Sequence, residues 1–196
     1  ILILCYRAGL RSSEATHLKL NDIDTKHWIV HVRSNYWFRT KSIRSNRRIP
    51  VNYLLNEDEK KLILAQIDLI KSFHPDTENP WLFSDKTTAE CLVPTQFHIT
   101  RVIESLRIAS GDNHIRLHHA RHSFANYLLL VMSEITNIPA IYKELEAWAR
   151  TDRLREFSKE MKSVLVGKQM QKDRILNAIS LVLGHASPHT AVVLSL

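Results

Sequence analysis

The sequence predicts an α+β fold that is mostly α-helical and carries a small antiparallel β-sheet. Apolar residues recur at helical spacing along most of the chain, and β-branched and aromatic residues concentrate in short segments between positions 28 and 51. The 196 residues include only four glycines and six prolines, too few for an all-β fold with many tight turns. This length suffices for one domain with a sizeable core.

Two helices are predicted at the N-terminal end. Residues 1–8 are almost entirely apolar and are followed by Gly9, a residue that commonly ends a helix. Ser12 or Ser13 can cap the next helix, because a hydroxyl oxygen accepts a hydrogen bond from a free backbone N–H group of the first turn.

Three strands are predicted next, and together they suggest a small antiparallel sheet. The segments Trp28–Val32, Tyr36–Thr40 and Arg47–Val51 have the composition of strands. A polar loop, Lys41–Asn46, separates the last two segments.

Four further helices are predicted from apolar periodicity. Asn56 and Glu59 form a capping-box pattern before a helix that Pro75 ends. This helix carries Ile63, Ile67, Ile70 and Phe73 at helical spacing. The other predicted helices are Phe97–Ala109, ended by Gly111; Leu117–Met132; and the helix marked by Ile175, Ile179 and Val182, ended by Gly184.

We interpret the chain as one domain, residues 1–196, that is a fragment of a longer protein. Residues 1–4 are apolar, without an initiator methionine or a helix cap, as expected of a cut inside a buried helix. Between about 133 and 173 the sequence is nearly neutral and carries two amphipathic stripes, which predicts a helical insertion. Cys5 and Cys91 are the only cysteines, which favours a reducing compartment and no disulfide framework.

The segment from Thr25 to Asn56 contains no acidic residue, although the net charge of the whole chain is only +7. Aromatic residues are interleaved with its seven basic residues, which are Lys26, Arg33, Arg39, Lys41, Arg44, Arg47 and Arg48. A segment of one sign with aromatic residues is typical of a nucleic-acid contact. The alternative is an ordinary solvated basic face.

The stretch LHHARHSFANYLL, residues 117–129, concentrates nitrogen donors at the start of an apolar helix. His118 and His122 share a helix face, a spacing that suits zinc. The metalloprotease pattern, however, has glutamate where His119 stands, and Arg121 would place a fixed charge beside the ion. We therefore predict no metal site; a zinc hydrolase and a set of surface histidines are the alternatives.

A phosphate site is the other chemistry that these residues can serve. A guanidinium group grips two phosphate oxygens and stays charged. Arg11 follows a helix end, and Arg121 lies near a helix start, where free N–H groups favour anions. Lys41 and His185 would add two further donors.

Four blocks in order resemble the signature of the tyrosine recombinase (phage integrase) catalytic domain. GLRSSEATHLKL is similar to the G-L-R-x-x-E box, and RTKSIRSNRRIPV to the hairpin with a lysine before R-x-I-P. LHHARHSFANYLL is similar to H-x-x-R-H, and LGHASPHTAV to the L-G-H box that precedes the nucleophile. Together the blocks cover most of the chain.

The resemblance implies a role for each matched residue. Arg11 and Arg121 would clamp the phosphate, and Glu14 would support Arg11. His118 would bond the phosphate or take the proton of the nucleophile, and His185 would bond a non-bridging oxygen. Lys41 would be the general acid for the departing 5′ oxygen. The hairpin would contact DNA through Arg39, Arg44, Arg47 and Arg48.

In this family a tyrosine attacks the phosphate and forms a 3′-phosphotyrosyl link, so the resemblance implies no metal and no cofactor. The tyrosine is expected nine or ten residues after His185, where Leu194 and Ser195 stand. It either follows Leu196 or has been lost, and without it this fragment would be inactive. The second departure is the distance of 64 positions between Arg121 and His185, which exceeds the family interval of a little over twenty.

The resemblance therefore implies a site-specific DNA recombinase or integrase of phage or mobile-element type. The expected partners are double-stranded DNA and, in the full-length protein, further copies in a tetramer. We expect no membrane association, and a cytoplasmic, nucleoid-associated location. The alternatives are a catalytically inactive recombinase-like DNA-binding protein and a type IB topoisomerase, which relaxes DNA without exchanging strands between partners.

Overall fold

A computed structural model of the chain describes residues 1–36, 38–40, 45–84, 95–133, 156, 159 and 172–184. Within these ranges the helices are α1 (Leu2–Arg7), α2 (Ser12–Thr16), α3 (Glu57–Phe73), α4 (Thr95–Ser110), α5 (Leu117–Ser133) and α6 (Lys172–Leu183). The strands are β1 (Ile23–Asp24), β2 (Ile29–Val32) and β3 (Arg47–Pro50), and a 3-10 turn spans Leu20–Asp22. The predicted fold class, mostly α-helical with a small antiparallel sheet, is confirmed.

The sheet has the order β1-β2-β3, and both pairs of strands are antiparallel. Val30 lies opposite Ile23 on one side and Ile49 on the other. These three side chains are buried, as is Val32, because alternate residues of a strand point to the same face. Two of the three predicted strands are therefore correct. Strand β1 was not predicted, because a segment of two residues is too short to show an alternating pattern.

The strand predicted at Tyr36–Thr40 is wrong for the residues that the structure describes there. Asn35 and Phe38 instead exchange backbone hydrogen bonds in both directions, of 2.8 and 3.3 Å. The side-chain oxygen of Asn35 also accepts a hydrogen bond from the Phe38 N–H group at 2.9 Å. An asparagine that bonds its own backbone neighbours favours a turn over a strand, and the aromatic content of this segment concealed that preference.

Helix α5 lies at the centre of the described core. It packs against α1 and α6, and α6 also contacts β3. Phe124 and Leu128 of α5 are fully buried among these elements. This packing brings the start of α5, the end of α6 and the start of β3 close to the turn between α1 and α2. Among the described helices, none has the length and apolar content that a membrane span requires.

The predicted helix boundaries are largely confirmed. Asn56 Oδ1 accepts the N–H group of Glu59 at 2.8 Å, and Glu59 Oε2 accepts that of Asn56 at 2.9 Å. The predicted cap of α2 is wrong, because neither Ser12 nor Ser13 precedes the helix. The preceding residue is Arg11, whose backbone N–H group donates to the carboxylate of Glu14 at 2.8 Å.

The predicted insertion at 133–173 lies almost wholly outside the described residues, and so do Cys91 and the residues after Gly184. These predictions, together with the single-domain boundary and the fragment interpretation, stay predictions.

Replacing Gly9 by alanine is expected to lower the free energy of unfolding by about 2–4 kcal/mol. Gly9 has a φ of +62°, which costs energy for any residue with a Cβ, and the added methyl group would overlap the ring of buried Phe124. Urea unfolding measures this change. Gly111→Ala is the matched control, since its φ is +69° but an added Cβ would meet no other atom within 4 Å, so a loss of only about 1 kcal/mol is expected. Equal losses for the two variants would contradict the packing argument.

Candidate active site

Glu14 is the centre of a buried ionic cluster at the junction of α1, α2, β3 and α6. Its side chain is about 1% exposed. Arg11 donates to it through Nη1 at 2.6 Å, besides the backbone bond that begins α2. Arg47, the first residue of β3, donates through Nη1 at 3.1 Å and through Nη2 at 2.9 Å. The carboxylate therefore joins two arginines from different parts of the sequence.

Arg121 is the third arginine of the cluster. It lies on α5 with a side chain about 4% exposed, and its Nη1 is 3.7 Å from Glu14 Oε2. Its two Nη groups donate to the backbone oxygens of Gly9 and Leu183. Arg121 thus links the turn after α1 to the end of α6, and it brings a second predicted clamp residue beside Arg11.

The C-terminal end of α6 is bound by all three arginines. Arg47 Nε donates to Val182 O at 2.7 Å, Arg121 donates to Leu183 O, and Arg11 Nη2 reaches Gly184 O at 3.4 Å. The last carbonyl groups of a helix have no partner within the helix, and the negative end of its dipole favours cations. The arginines therefore fix the position of this helix end, and His185 is the next residue in the sequence.

Gly184 fits this arrangement because it lacks a side chain. Its φ is +64°, and a Cβ there would lie 2.8 Å from Arg47 Nη1 and 3.1 Å from the Cα of Ser45. Ser45 itself is buried, and its hydroxyl donates to Gly184 O at 3.3 Å. The glycine of the L-G-H block thus permits close approach between the end of α6 and the start of β3.

The cluster carries excess positive charge. Three guanidinium groups and one carboxylate leave two positive charges uncompensated among these four side chains. Burial raises the pKa of Glu14, but the hydrogen bonds and charges of Arg47 and Arg11 outweigh burial, and the net pKa is lowered. Burial, followed by the charge of Arg11, lowers the pKa of Arg121 to about 9, so it stays charged at neutral pH. A group of this kind attracts an anion.

Arg11 is the most accessible of the three arginines. Its side chain is 24% exposed, whereas those of Arg47 and Arg121 are 6% and 4% exposed. An incoming anion would therefore meet Arg11 first, with the charge of Arg121 behind it.

His118 lies on the exposed face of α5, three residues before Arg121. Its ring packs edge-on against that of His122, with centroids 4.3 Å apart. Partial burial, followed by the charges of His122 and Arg121, lowers the pKa of His118. The imidazole is therefore neutral at pH 7, and in that form it can accept a proton or donate one hydrogen bond.

The predicted DNA-contact residues differ in their exposure to solvent. Arg39 and Arg48 are exposed, as a DNA contact requires. The prediction for Arg47 is wrong, because its guanidinium group is buried and donates to Glu14, Ser45 and Val182. Lys41, Arg44 and His185 lie outside the described residues, so their roles stay predictions.

Two contributors to this site, Ser45 and the inward-facing Arg47, were not predicted from the sequence. A signal for Arg47 was available. Residues two apart in a strand face the same side, so a buried Ile49 places Arg47 inside and Arg48 outside. Ser45 had no comparable signal. Among the residues that the structure describes, no three His, Cys, Asp or Glu side chains are grouped closely enough to hold a metal ion.

The fold is similar to that of solved recombinase and integrase structures. The XerA recombinase is 20% identical, with a TM-score of 0.56 over 98% of this chain and 49% of that chain. The Tn1549 transposon integrase in complex with transposon right end DNA is 15% identical, with a TM-score of 0.55 over 100% of this chain and 53% of that chain. The chain thus spans about half the length of these proteins, and at this identity the likeness concerns the fold. No curated protein sequence matches the chain.

The sequence itself matches a model of one protein family, described as the phage integrase family, over residues 1–141. That span includes Arg11, Glu14, Arg47 and Arg121, the four side chains of the buried cluster. It also covers well over half of the 196 residues. The chain therefore belongs to the phage integrase family.

Proposed function

We propose that this chain is the catalytic domain of a site-specific DNA recombinase that cuts and rejoins DNA strands through a 3′-phosphotyrosyl intermediate. The observation that supports the proposal is the meeting of Arg11 and Arg121 beside Glu14, although they are 110 positions apart in the sequence. A buried cluster with excess positive charge and one accessible arginine suits a DNA phosphate.

Cleavage of a phosphodiester gathers negative charge on the non-bridging oxygens, and fixed cations lower the energy of that transition state. Arg11 would donate to one such oxygen, and Arg121 would add its charge from a buried position where water screens little. Because Glu14 and the carbonyls of α6 already hold these guanidinium groups, little reorganisation would accompany the reaction. This preorganisation is the main contribution of the cluster to catalysis.

Proton transfer would involve residues near the cluster. Neutral His118 would accept the proton of the attacking hydroxyl or bond the phosphate. Lys41 would protonate the departing 5′ oxygen, and His185, which follows Gly184 in the sequence, would bond a non-bridging oxygen. These three roles follow from the family resemblance.

The attacking tyrosine is expected after His185 in the family pattern, at positions that Leu194 and Ser195 occupy or beyond Leu196. Tyr127, on α5, is unsuited to the task. Its side chain is buried, and burial raises the pKa of its hydroxyl group. A phenol that is hard to ionise and hidden from solvent is a poor nucleophile for DNA.

Double-stranded DNA would lie against the exposed basic residues of the segment 25–56, which include Arg39 and Arg48. The Tn1549 integrase, a structural relative, was solved in complex with transposon DNA. Assembly of four copies on DNA completes the proposal, because exchange between two duplexes requires four strands to be cut.

A second candidate function is DNA binding without cleavage. It is favoured by Leu194 and Ser195 standing where the family pattern places the tyrosine. The cationic cluster would then serve only to bind a backbone phosphate.

One experiment separates these functions. Protein expressed from the complete open reading frame is incubated with duplexes tiled across the DNA that flanks its gene, labelled with ³²P. We expect a covalent complex that survives detergent and yields phosphotyrosine on acid hydrolysis. Binding without a covalent link would favour the second candidate, and relaxation of plasmids of any sequence would favour a topoisomerase.

The affinity for DNA is expected to fall steeply with salt, because each phosphate that the protein neutralises releases counterions. Replacing Arg39 and Arg48 by alanine together should reduce the slope of log affinity against log salt by about 0.9 for each phosphate that is no longer neutralised. Fluorescence anisotropy between low and moderate salt measures the slope. Lys61→Ala removes one exposed charge from α3 and is expected to leave the slope unchanged. A double variant with the wild-type slope would place DNA on another face.

A further inference from the structure

Arg47 connects three elements through one guanidinium group. From the start of β3 it donates to Glu14 of α2 through both Nη atoms, at 3.1 and 2.9 Å. Its Nε donates to Val182 O of α6 at 2.7 Å, and its Nη1 also donates to Ser45 O at 3.0 Å. All three of its nitrogen atoms therefore bind protein groups, which leaves its planar fork occupied.

Because these contacts occupy its donors, Arg47 cannot bind a DNA phosphate with two hydrogen bonds as a free arginine would. The side chain is only 6% exposed, and its flat edge is matched to the carboxylate of Glu14. Arg11, by comparison, is 24% exposed and pairs with the same carboxylate. The two arginines share one partner but differ in access.

We infer that Arg47 is a positioning residue for DNA strand cleavage: it holds Glu14 and the end of α6 in fixed register with the start of β3. The inference rests on the proposed function. Through Glu14, Arg47 sets the position of Arg11, and through Val182 it sets the position of the C-terminal end of α6. It also fixes where the segment that carries Lys41 returns to the sheet, since β3 follows that segment directly.

The geometry requires arginine at this position. A lysine carries its three N–H donors on a single nitrogen, so it cannot reproduce the planar arrangement in which three nitrogens of Arg47 bond both carboxylate oxygens and Val182 O. A misplacement of reacting groups by about 1 Å can cost about 10²-fold in rate. A loosened α6 end therefore reduces the cleavage rate while the DNA-binding surface stays intact.

The test uses Arg47→Lys and Arg47→Met in protein from the complete open reading frame, with Lys61→Ala, an exposed position on α3, as the control. For Arg47→Lys we expect a cleavage rate at saturating DNA about 10²-fold lower, a DNA affinity within about twofold of wild type, and an unchanged salt slope. Thermal melting identifies any variant that does not fold. A wild-type rate, or a loss of affinity with a reduced salt slope, would overturn the inference.

The cleavage rate of a DNA linkage without negative charge distinguishes a residue that positions the reacting groups from one that neutralises the charge of the phosphate. In a methylphosphonate linkage a methyl group replaces one non-bridging oxygen, so the phosphorus centre needs less positive charge around it. Arg11→Ala is expected to lose much less rate on this linkage than on a phosphodiester. Arg47→Lys is expected to show the same reduction in cleavage rate on both linkages, because its defect lies in the position of the reacting groups and not in the charge at the phosphate. Equal recovery of both variants would assign Arg47 to the phosphate and contradict the inference.

Hydrogen exchange provides a readout that does not depend on cleavage. The N–H group of Gly184 donates to Leu181 O at 3.0 Å, and it lies where Arg47 holds the helix end. Local opening controls exchange at such a site. We expect faster exchange at residues 181–184 in Arg47→Lys than in Lys61→Ala, and equal rates would overturn the inference. A wild-type protein that never cleaves DNA would contradict the proposed function alone, and this exchange result would still decide the role of Arg47.

Discussion

Replacing Glu14 by glutamine is expected to lower the free energy of unfolding by about 3–5 kcal/mol. The carboxylate is the shared partner of Arg11 and Arg47 and lies 3.7 Å from Arg121, so its loss leaves three guanidinium groups facing one another in a buried site. An amide also presents an NH₂ group where a second acceptor is needed. Urea unfolding at pH 7, followed by circular dichroism, measures the change.

Glu57→Gln is the matched control, because Glu57 is 63% exposed and pairs with Lys60 on the surface of α3. Its expected effect is below about 0.5 kcal/mol. Sulfate is expected to raise the melting temperature of Glu14→Gln more than that of wild type, since an anion can replace the missing charge. A Glu14→Gln variant as stable as wild type would show that the carboxylate does not organise the cluster.

Because of the Glu14 carboxylate, we expect the stability of the fold to fall at acidic pH. The folded state lowers the pKa of Glu14, so the unfolded chain binds its proton more readily. The stabilisation is complete above the ordinary pKa of glutamate and is lost as the pH falls through the lower folded value. Glu14→Gln is therefore expected to lose less stability than wild type between neutral and strongly acidic pH.

Replacing Arg11 by alanine is expected to reduce the rate of strand cleavage by about 10²–10³-fold, the usual cost of removing one preorganised donor to a developing negative charge. The fold is expected to persist, because Arg47 still pairs with Glu14 through two hydrogen bonds. Single-turnover cleavage of a labelled duplex in excess protein measures the rate.

Lys61→Ala is the control for Arg11→Ala, because it also removes one positive charge but from an exposed, paired position on α3. It is expected to cleave at the wild-type rate. If Arg11→Ala forms the covalent complex as fast as wild type, Arg11 does not stabilise the scissile phosphate.

Sequence patterns predicted most of the fold because helix signals are local. Gly9 and Gly184 were identified as helix ends from their type and place, and both adopt the positive φ that such ends require. The cap of α2 was wrong for a local reason as well: the carboxylate of Glu14, inside the helix, accepts the hydrogen bond at the helix start, where a serine had been expected to cap the helix.

The site was predictable in part. The resemblance of four sequence blocks to the tyrosine recombinase signature indicated Arg11, Glu14 and Arg121; each of these residues alone would have been a weak signal. Strand alternation with Ile49 could have indicated that Arg47 faces inward, but its partners Glu14 and Val182 could not be predicted, because they depend on how α2 and α6 pack against β3. The contacts with three successive backbone carbonyls of α6 carry no sequence signal, since every residue has a carbonyl group.

In the proposed function, Arg11 and Arg121 bind the same DNA phosphate, and Glu14 holds both arginines in one cluster. A crystal structure of the protein bound to a duplex that it cleaves tests this claim most directly. We predict a non-bridging oxygen of the scissile phosphate about 2.7–3.2 Å from the guanidinium group of Arg11, with Arg121 on the protein side of the same phosphorus. A scissile phosphate held on another face, with both arginines remote from it, would contradict the account.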